Sequence, residues 1–170
     1  ANTAVINISK SSDELNGMGT TLVGVLVSEK TFYTINVGDS RLYYITKDVA
    51  EQISHDHSLV QYLVDIGKLT PEEARSSPNK NIITRAIGSR DEVEADIFVT
   101  DFKDKPSGRF LLLCSDGLTN HLSDDDIRRI VTTPRDDLLP LFEDLPQRTE
   151  ALIDEANKMG GTDNITAVLI

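Results

Sequence analysis

Apolar residues along this chain fall in short blocks, and the spacing within the blocks changes part-way along. Residues 20–27 are rich in β-branched side chains and apolar enough to predict a strand buried on both faces. Residues 31–37 and 42–46 follow at hairpin spacing, joined by the turn-like Gly38-Asp39-Ser40-Arg41, which predicts an antiparallel sheet. The period then lengthens to that of a helix. Ser58 is placed to cap a helix whose Leu59, Tyr62, Leu63 and Ile66 share one face, with Gly67 ending it. Thr70-Pro71-Glu72-Glu73 reads as a capping box with proline at the first helical position. Strand patterning returns over 94–100 and 109–114. Ser123-Asp124-Asp125-Asp126 then opens a helix with acids where the macrodipole favours them. A helical stretch from Thr133-Pro134 and another over 149–159, stopped by Gly160-Gly161, complete the helical part. The polar opening 1–15 reads as the tail of a helix, and 164–170 as a closing apolar strand. Strands mainly early and helices mainly late, with no repeat or linker, predict one α+β layered domain over 1–170.

Charge and cysteine usage narrow the function classes. The 170 residues carry 28 Asp and Glu against 17 Lys and Arg, a net charge of −11. Such a surface repels polyphosphate, so nucleic acid is a poor partner, whereas cations and basic partners suit it. No apolar run approaches the ~18 residues of a membrane span. The patterned apolar blocks argue against wholesale disorder. Cys114 is the single cysteine, which excludes an internal disulfide framework and a Cys-based zinc cluster. It lies in Phe110-Leu111-Leu112-Leu113-Cys114 and reads as a buried small hydrophobe. No basic-plus-apolar leader opens the chain, so a cytoplasmic location is expected. The first residue is Ala1 rather than Met, which suggests a processed chain or a piece of a longer one.

Three aspartates stand where a strand meets a loop. Asp116 follows the apolar run 110–114 and precedes Gly117, so a rigid strand end presents a carboxylate beside a residue that permits close backbone approach. Asp163, in Gly160-Gly161-Thr162-Asp163-Asn164-Ile165-Thr166, stands just before the last strand. Asp56 is flanked by His55 and His57. Mg²⁺ and Mn²⁺ take oxygen ligands and few carboxylates, so two or three such aspartates brought together would suit them. An Asx-turn at Asp116 and Asp163 is an equally good reading of the residues alone. His55-x-His57 and the isolated His121 do not make a zinc set and are read as structural. Asp39 could touch phosphate through Arg41, or simply brace a hairpin turn with it. No Gly-x-Ser-x-Gly elbow, P-loop or dinucleotide fingerprint is present.

Six segments follow one another in a telling order: Gly17-Met18-Gly19-Thr20-Thr21, Asn36-Val37-Gly38-Asp39-Ser40-Arg41, Ser54-His55-Asp56-His57-Ser58, Ile83-Thr84-Arg85-Ala86-Ile87-Gly88, Leu112-Leu113-Cys114-Ser115-Asp116-Gly117-Leu118 and the Gly160 to Thr166 segment. This series resembles the metal-dependent protein serine/threonine phosphatases of the PPM, or PP2C, family, from Gly17 to the last residue. Cys114-Ser115-Asp116-Gly117-Leu118-Thr119-Asn120 looks most like the branch found in Gram-positive bacteria.

The resemblance implies a β-sandwich flanked by helices, with two Mn²⁺ or Mg²⁺ ions at one end. Asp116 and Asp163 would be direct ligands, with Gly117 a weaker candidate, and Asp56 would bind a third, looser ion. A water bridging the ions would attack phosphoserine or phosphothreonine in line, without a phosphoenzyme. The stretch 59–80 would be a flap beside the site, where substrates are discriminated. Phosphorylated proteins are the implied partners, and a bacterial Ser/Thr kinase with its targets is the family expectation.

The front departs from the family pattern. The opening acidic motif, the phosphate-binding arginine and the Asp-Gly-x-Gly-Gly motif that bridges both metals are absent from these residues. The chain therefore looks like the C-terminal portion of a phosphatase, and low activity is expected of these 170 residues alone. A catalytically incompetent phosphatase-like interaction module is the competing reading. A haloacid-dehalogenase-type phosphatase, suggested by Val37-Gly38-Asp39-Ser40, is set aside because that family needs an Asp-x-Asp nucleophile motif near its start and these residues offer none there.

Overall fold

The computed structural model describes residues 1–105, 110–133 and 144–170. Its strands form two antiparallel sheets. In the first, β1 (Leu22–Val27) and β2 (Thr31–Val37) form a hairpin, and β5 (Asp96–Asp101) lies on the other side of β2. In the second, the order is β4 (Ala50–Gln52), β3 (Arg41–Ile45), β6 (Phe110–Cys114), β7 (Ala167–Leu169). The expected α+β layering is present, but β2 and β3 are not a hairpin. Gly38 to Ser40 instead carries the chain from one sheet to the other. The crossover requires glycine: Gly38 has φ +109, and a Cβ there would lie 2.3 Å from Thr21 Cγ2. Thr21 Oγ1 and Ser40 Oγ, 2.8 Å apart, tie the crossover to the start of β1.

The sheets stack through one apolar layer. Phe32, Leu42, Tyr44 and Leu111 are buried between them, with Phe32 and Tyr44 stacked at 6.0 Å between centroids. The opposite face of the second sheet presents Tyr43, Ile45, Leu112 and Cys114 to the helices. These helices are α4 (Asp116–Thr119), α5 (Asp124–Thr132) and α6 (Leu145–Lys158), which contribute Leu118, Ile127, Val131, Leu152 and Ala156. β1 is not buried on both faces, because among the described residues it lies at an edge of the first sheet with no helix over its outer side. Leu26, Tyr33, Ile97 and Val99 form an exposed apolar face there. Aliphatic residues on both sides of a strand do not distinguish an edge from a centre.

The helix ends match their sequence signals. Ser58 Oγ accepts from the Gln61 N–H to start α2 (Leu59–Asp65). Thr70 and Glu73 close a reciprocal capping box on α3 (Pro71–Ser76). Ser123 and Asp126 do the same for α5. In α2 the buried residue is Val60, while Tyr62 and Ile66 are exposed, so the packed face is turned from the expected one. α6 begins at Leu145, before 149, where the buried Arg148 pairs with Asp144 at 2.9 Å and donates to the Val131 carbonyl of α5. Thr133 ends α5, and the helix expected from Pro134 lies outside the described residues. At the start of the chain, α1 (Asn2–Ser9) is the expected helix.

Candidate metal centre

The antiparallel pairing of β6 with β7 brings the Asp116 and Asp163 loops together. Cys114 is opposite Ala167, so the chain leaving β6 and the chain entering β7 run side by side. Ser115 stitches them: its N–H donates to the Thr166 carbonyl (3.1 Å), its Oγ accepts from the Thr166 N–H (3.0 Å), and that hydroxyl donates to the Asn164 carbonyl (3.1 Å). Gly117 is pressed against the same carbonyl, where a Cβ would stand 2.4 Å from the oxygen. The Asp-Gly and Asp-Asn motifs are thus locked in contact through backbone, and side chains extend from that junction.

Asp116 is the first residue of α4, and Asn120, one turn later, donates to its Oδ2 at 3.2 Å. Asp163 is exposed and accepts from the Asn164 N–H at 2.7 Å. His121 braces this second loop. Its Nε2 accepts from the Thr162 N–H (3.3 Å) and lies 3.1 Å from the Thr162 hydroxyl, with Gly160 seated on the ring.

Asp56 is 7% exposed and heavily bonded. Arg41 reaches both its oxygens from Nε at 3.0 Å and Oδ2 from Nη2 at 2.7 Å, and Gln52 donates to Oδ1 at 2.7 Å. Of the two readings of Asp39 with Arg41, phosphate contact and turn brace, the brace is not formed, because Arg41 pairs with Asp56 instead. Asp39 is pushed up to about 6, by burial first and then by the negative charges of Asp116 and Asp56. Asp39, Asp56 and Asp116 face one common space. They line a cavity of about 490 Å³, closed on its far side by Val60, Gln61, Val64, Ala74, Arg75 and Lys80 of α2, α3 and the segment after them. The structure thus brings Asp39, Asp56 and Asp116 together, while Asp163 stands on the adjoining loop outside the cavity lining.

His55 and His57 have structural partners. Buried His57 accepts the Gly38 N–H on Nδ1 (3.0 Å) and places Nε2 3.1 Å from Asp96, which pairs with Arg85 at 2.6 Å. His55 pairs with Asp65 at 2.9 Å. Sequence reasoning missed Gln52, Tyr43 and Asn120. Only Asn120 left a trace, an amide four residues after Asp116 on what proves to be a helix. Among the described residues no three His, Cys, Asp or Glu side chains converge as a ready metal cage. The donors are all carboxylates without a thiolate, which fits a hard cation that retains much of its water and does not fit tetrahedral zinc.

The comparisons with known proteins identify the family. The family model described as protein phosphatase 2C matches residues 3–158. The chain belongs to the protein phosphatase 2C family. It is 39% identical over 169 residues to the serine/threonine phosphatase stp of Listeria innocua, covering 99% of this chain and 63% of that protein. Its fold is similar to the crystal structure of serine/threonine phosphatase Stp1 from Staphylococcus aureus, with a TM-score of 0.87 at 36% identity over 99% of this chain and 62% of that one. It is also similar to the catalytic domain of the serine threonine protein phosphatase PstP in complex with 2 manganese ions, with a TM-score of 0.80 at 33% identity over 99% of this chain and 65% of that one. The chain therefore spans under two thirds of the length of each of these PP2C relatives. Among the described residues no helix is long and apolar enough to cross a membrane.

Proposed function

We propose that this chain carries the Asp116 and Asp163 half of a protein serine/threonine phosphatase that depends on Mn²⁺ or Mg²⁺. The observation that carries the reading is the Ser115–Gly117–Asn164 junction, which holds the two motif aspartates on adjoining loops beside the Asp39–Asp56 cavity. Asp116 and Asp163 would hold the cations, with Asp56 a further ligand once it is drawn from Arg41. When such ions are bound, the chemistry supplied is acidification of water and neutralisation of phosphoryl charge, which suits in-line hydrolysis of a phosphate monoester. The chain's own residues orient these groups. Asn120 fixes the Asp116 carboxylate, His121 fixes the Asp163 loop, and Arg41 with Gln52 holds the buried Asp56 carboxylate in place. The 59–80 flap forms the wall across which a phosphorylated protein would lie. A bacterial Ser/Thr kinase and its targets are the proposed partners, in the cytoplasm.

The test is phosphate release from a phosphothreonine peptide by the full-length protein, with Mn²⁺ or Mg²⁺ supplied. Asp116→Asn and Asp163→Asn each remove a charged ligand and should abolish turnover. Asp56→Asn should mainly raise the metal concentration required. Parent-level turnover by Asp163→Asn, or activity that survives chelation, would overturn the reading.

A further inference from the structure

A continuous run of polar contacts leaves Asp56 and ends on the flap. Arg41, besides gripping Asp56, donates from Nη1 to the Tyr43 hydroxyl at 2.9 Å. That hydroxyl donates to Asp124 Oδ1 at 3.1 Å. The same oxygen is 3.0 Å from Nη2 of Arg75 on α3. One carboxylate oxygen at the start of α5 is thus shared by a buried tyrosine and a flap arginine. The stems of the flap are anchored elsewhere, by the Leu59 N–H donating to the Ile82 carbonyl and the Ser58–Ile83 bridge. Between those stems only Val60 and Ala74 of α2 and α3 are buried, so the flap has little apolar area to hold it down. An exposed ion pair is worth little in a well-packed structure, but it is a sizeable share of the stability of so lightly packed a segment.

We propose that Arg75–Asp124 is a latch holding the flap against α5, and that Tyr43 makes the hold of this latch depend on the Arg41–Asp56 pair. Tyr43 and Arg75 are then positioning residues. The proposal rests on the phosphatase reading only for what draws Asp56 from Arg41, a cation entering the cavity. When Asp56 turns, Arg41 is free to shift, Tyr43 loses the donor that orients its hydroxyl, and Asp124 is no longer aimed at Arg75. The flap then lifts as the site fills, so that a wall of the cavity opens when the centre is loaded.

The contacts are testable without metal or substrate, so failure here is distinguishable from failure of the phosphatase reading. Hydrogen exchange of the amides over 59–76 is followed in metal-free buffer for the parent, Arg75→Gln, Tyr43→Phe and the double variant, with amides of α6 as the check on global stability. Arg75→Gln should speed flap exchange about twofold to fivefold. Tyr43→Phe, which keeps the ring and removes the hydroxyl, should speed it by a smaller factor. The double variant should match Arg75→Gln alone, because both act through one oxygen. Asp56→Asn, at the far end of the chain of contacts, should also speed the flap while α6 keeps its parent rates. A flap that exchanges at the parent rate in Arg75→Gln, Tyr43→Phe or Asp56→Asn overturns the proposal, and so do factors that multiply in the double variant.

Discussion

Replacing Gly117 by alanine adds one methyl group at the junction of the two motif loops. The new Cβ would stand 2.4 Å from the Asn164 carbonyl oxygen and 3.0 Å from its carbon, and the obstacle is backbone, not a side chain that can swing away. Restoring an ordinary contact means moving Asn164 by roughly 1 Å, with overpacking of this kind costing about 1–3 kcal/mol. That movement also stretches the Ser115 hydroxyl bond to the same carbonyl, now 3.1 Å, adding about 1 kcal/mol for a lost hydrogen bond. At 2–4 °C per kcal/mol for a chain of this size, the unfolding midpoint should fall by about 5–15 °C. Thermal unfolding followed by circular dichroism measures the fall. Calorimetric titration with Mn²⁺ then measures whether the displaced Asp163 loop still binds, with a loss of about tenfold or more expected. Ser115→Ala is the control that removes the hydroxyl bonds without the clash, so it should lose about half as much stability. A Gly117→Ala protein that unfolds within about 1 °C of the parent would refute the account of the junction.

Two further outcomes follow from the site's electrostatics and its second loop. Asp39 has its proton held up to about 6, above its ordinary 3.8, so the folded chain keeps a proton that the unfolded chain has released. Stability should therefore decline as pH rises from about 4 to about 6 and then level off. Urea unfolding across that range in metal-free buffer should show the decline in the parent and a flatter profile in Asp39→Asn; identical profiles would contradict it. His121→Ala should loosen Thr162 and weaken Mn²⁺ binding by about tenfold, with His121→Gln partly restoring an acceptor for the Thr162 N–H. Unchanged Mn²⁺ affinity in His121→Ala would show that the ring does not brace Asp163.

Local chemistry was legible in the sequence wherever the residues that decide it are neighbours. The caps at Ser58, Thr70 and Ser123 and the apolar strand ending at Cys114 all depend on spans of a few residues. Pairing between distant segments was not. The turn-like Gly38-Asp39-Ser40 fits a hairpin as well as a crossover, and the pairing of β2 with β1 and β5, and of β3 with β4 and β6, decides between them. Similarly, Arg41 has an acidic neighbour two residues back, yet its partner is Asp56, fifteen residues on, because the β3–β4 hairpin places Gln52 and Asp56 beside it. The six ordered motifs point to the family by their order alone. The contacts that join one motif to the next, through Ser115, Tyr43 and His121, became visible only with the fold.

The thiol on β6 has a practical consequence for all these measurements. Cys114 is buried on the helix-facing side of the central strand pair, and burial pushes its ionisation up to about 12. Almost no thiolate exists at neutral pH, and thiolate is the form that alkylates, oxidises and exchanges. The folded chain should therefore tolerate air and mild peroxide with its sulfur intact. Thiol reductants, which themselves chelate transition metals, can then be left out of every titration. A labelling reagent that does modify Cys114 would be reporting the unfolding of the sheet, which turns this residue into a built-in gauge of whether a variant is still folded.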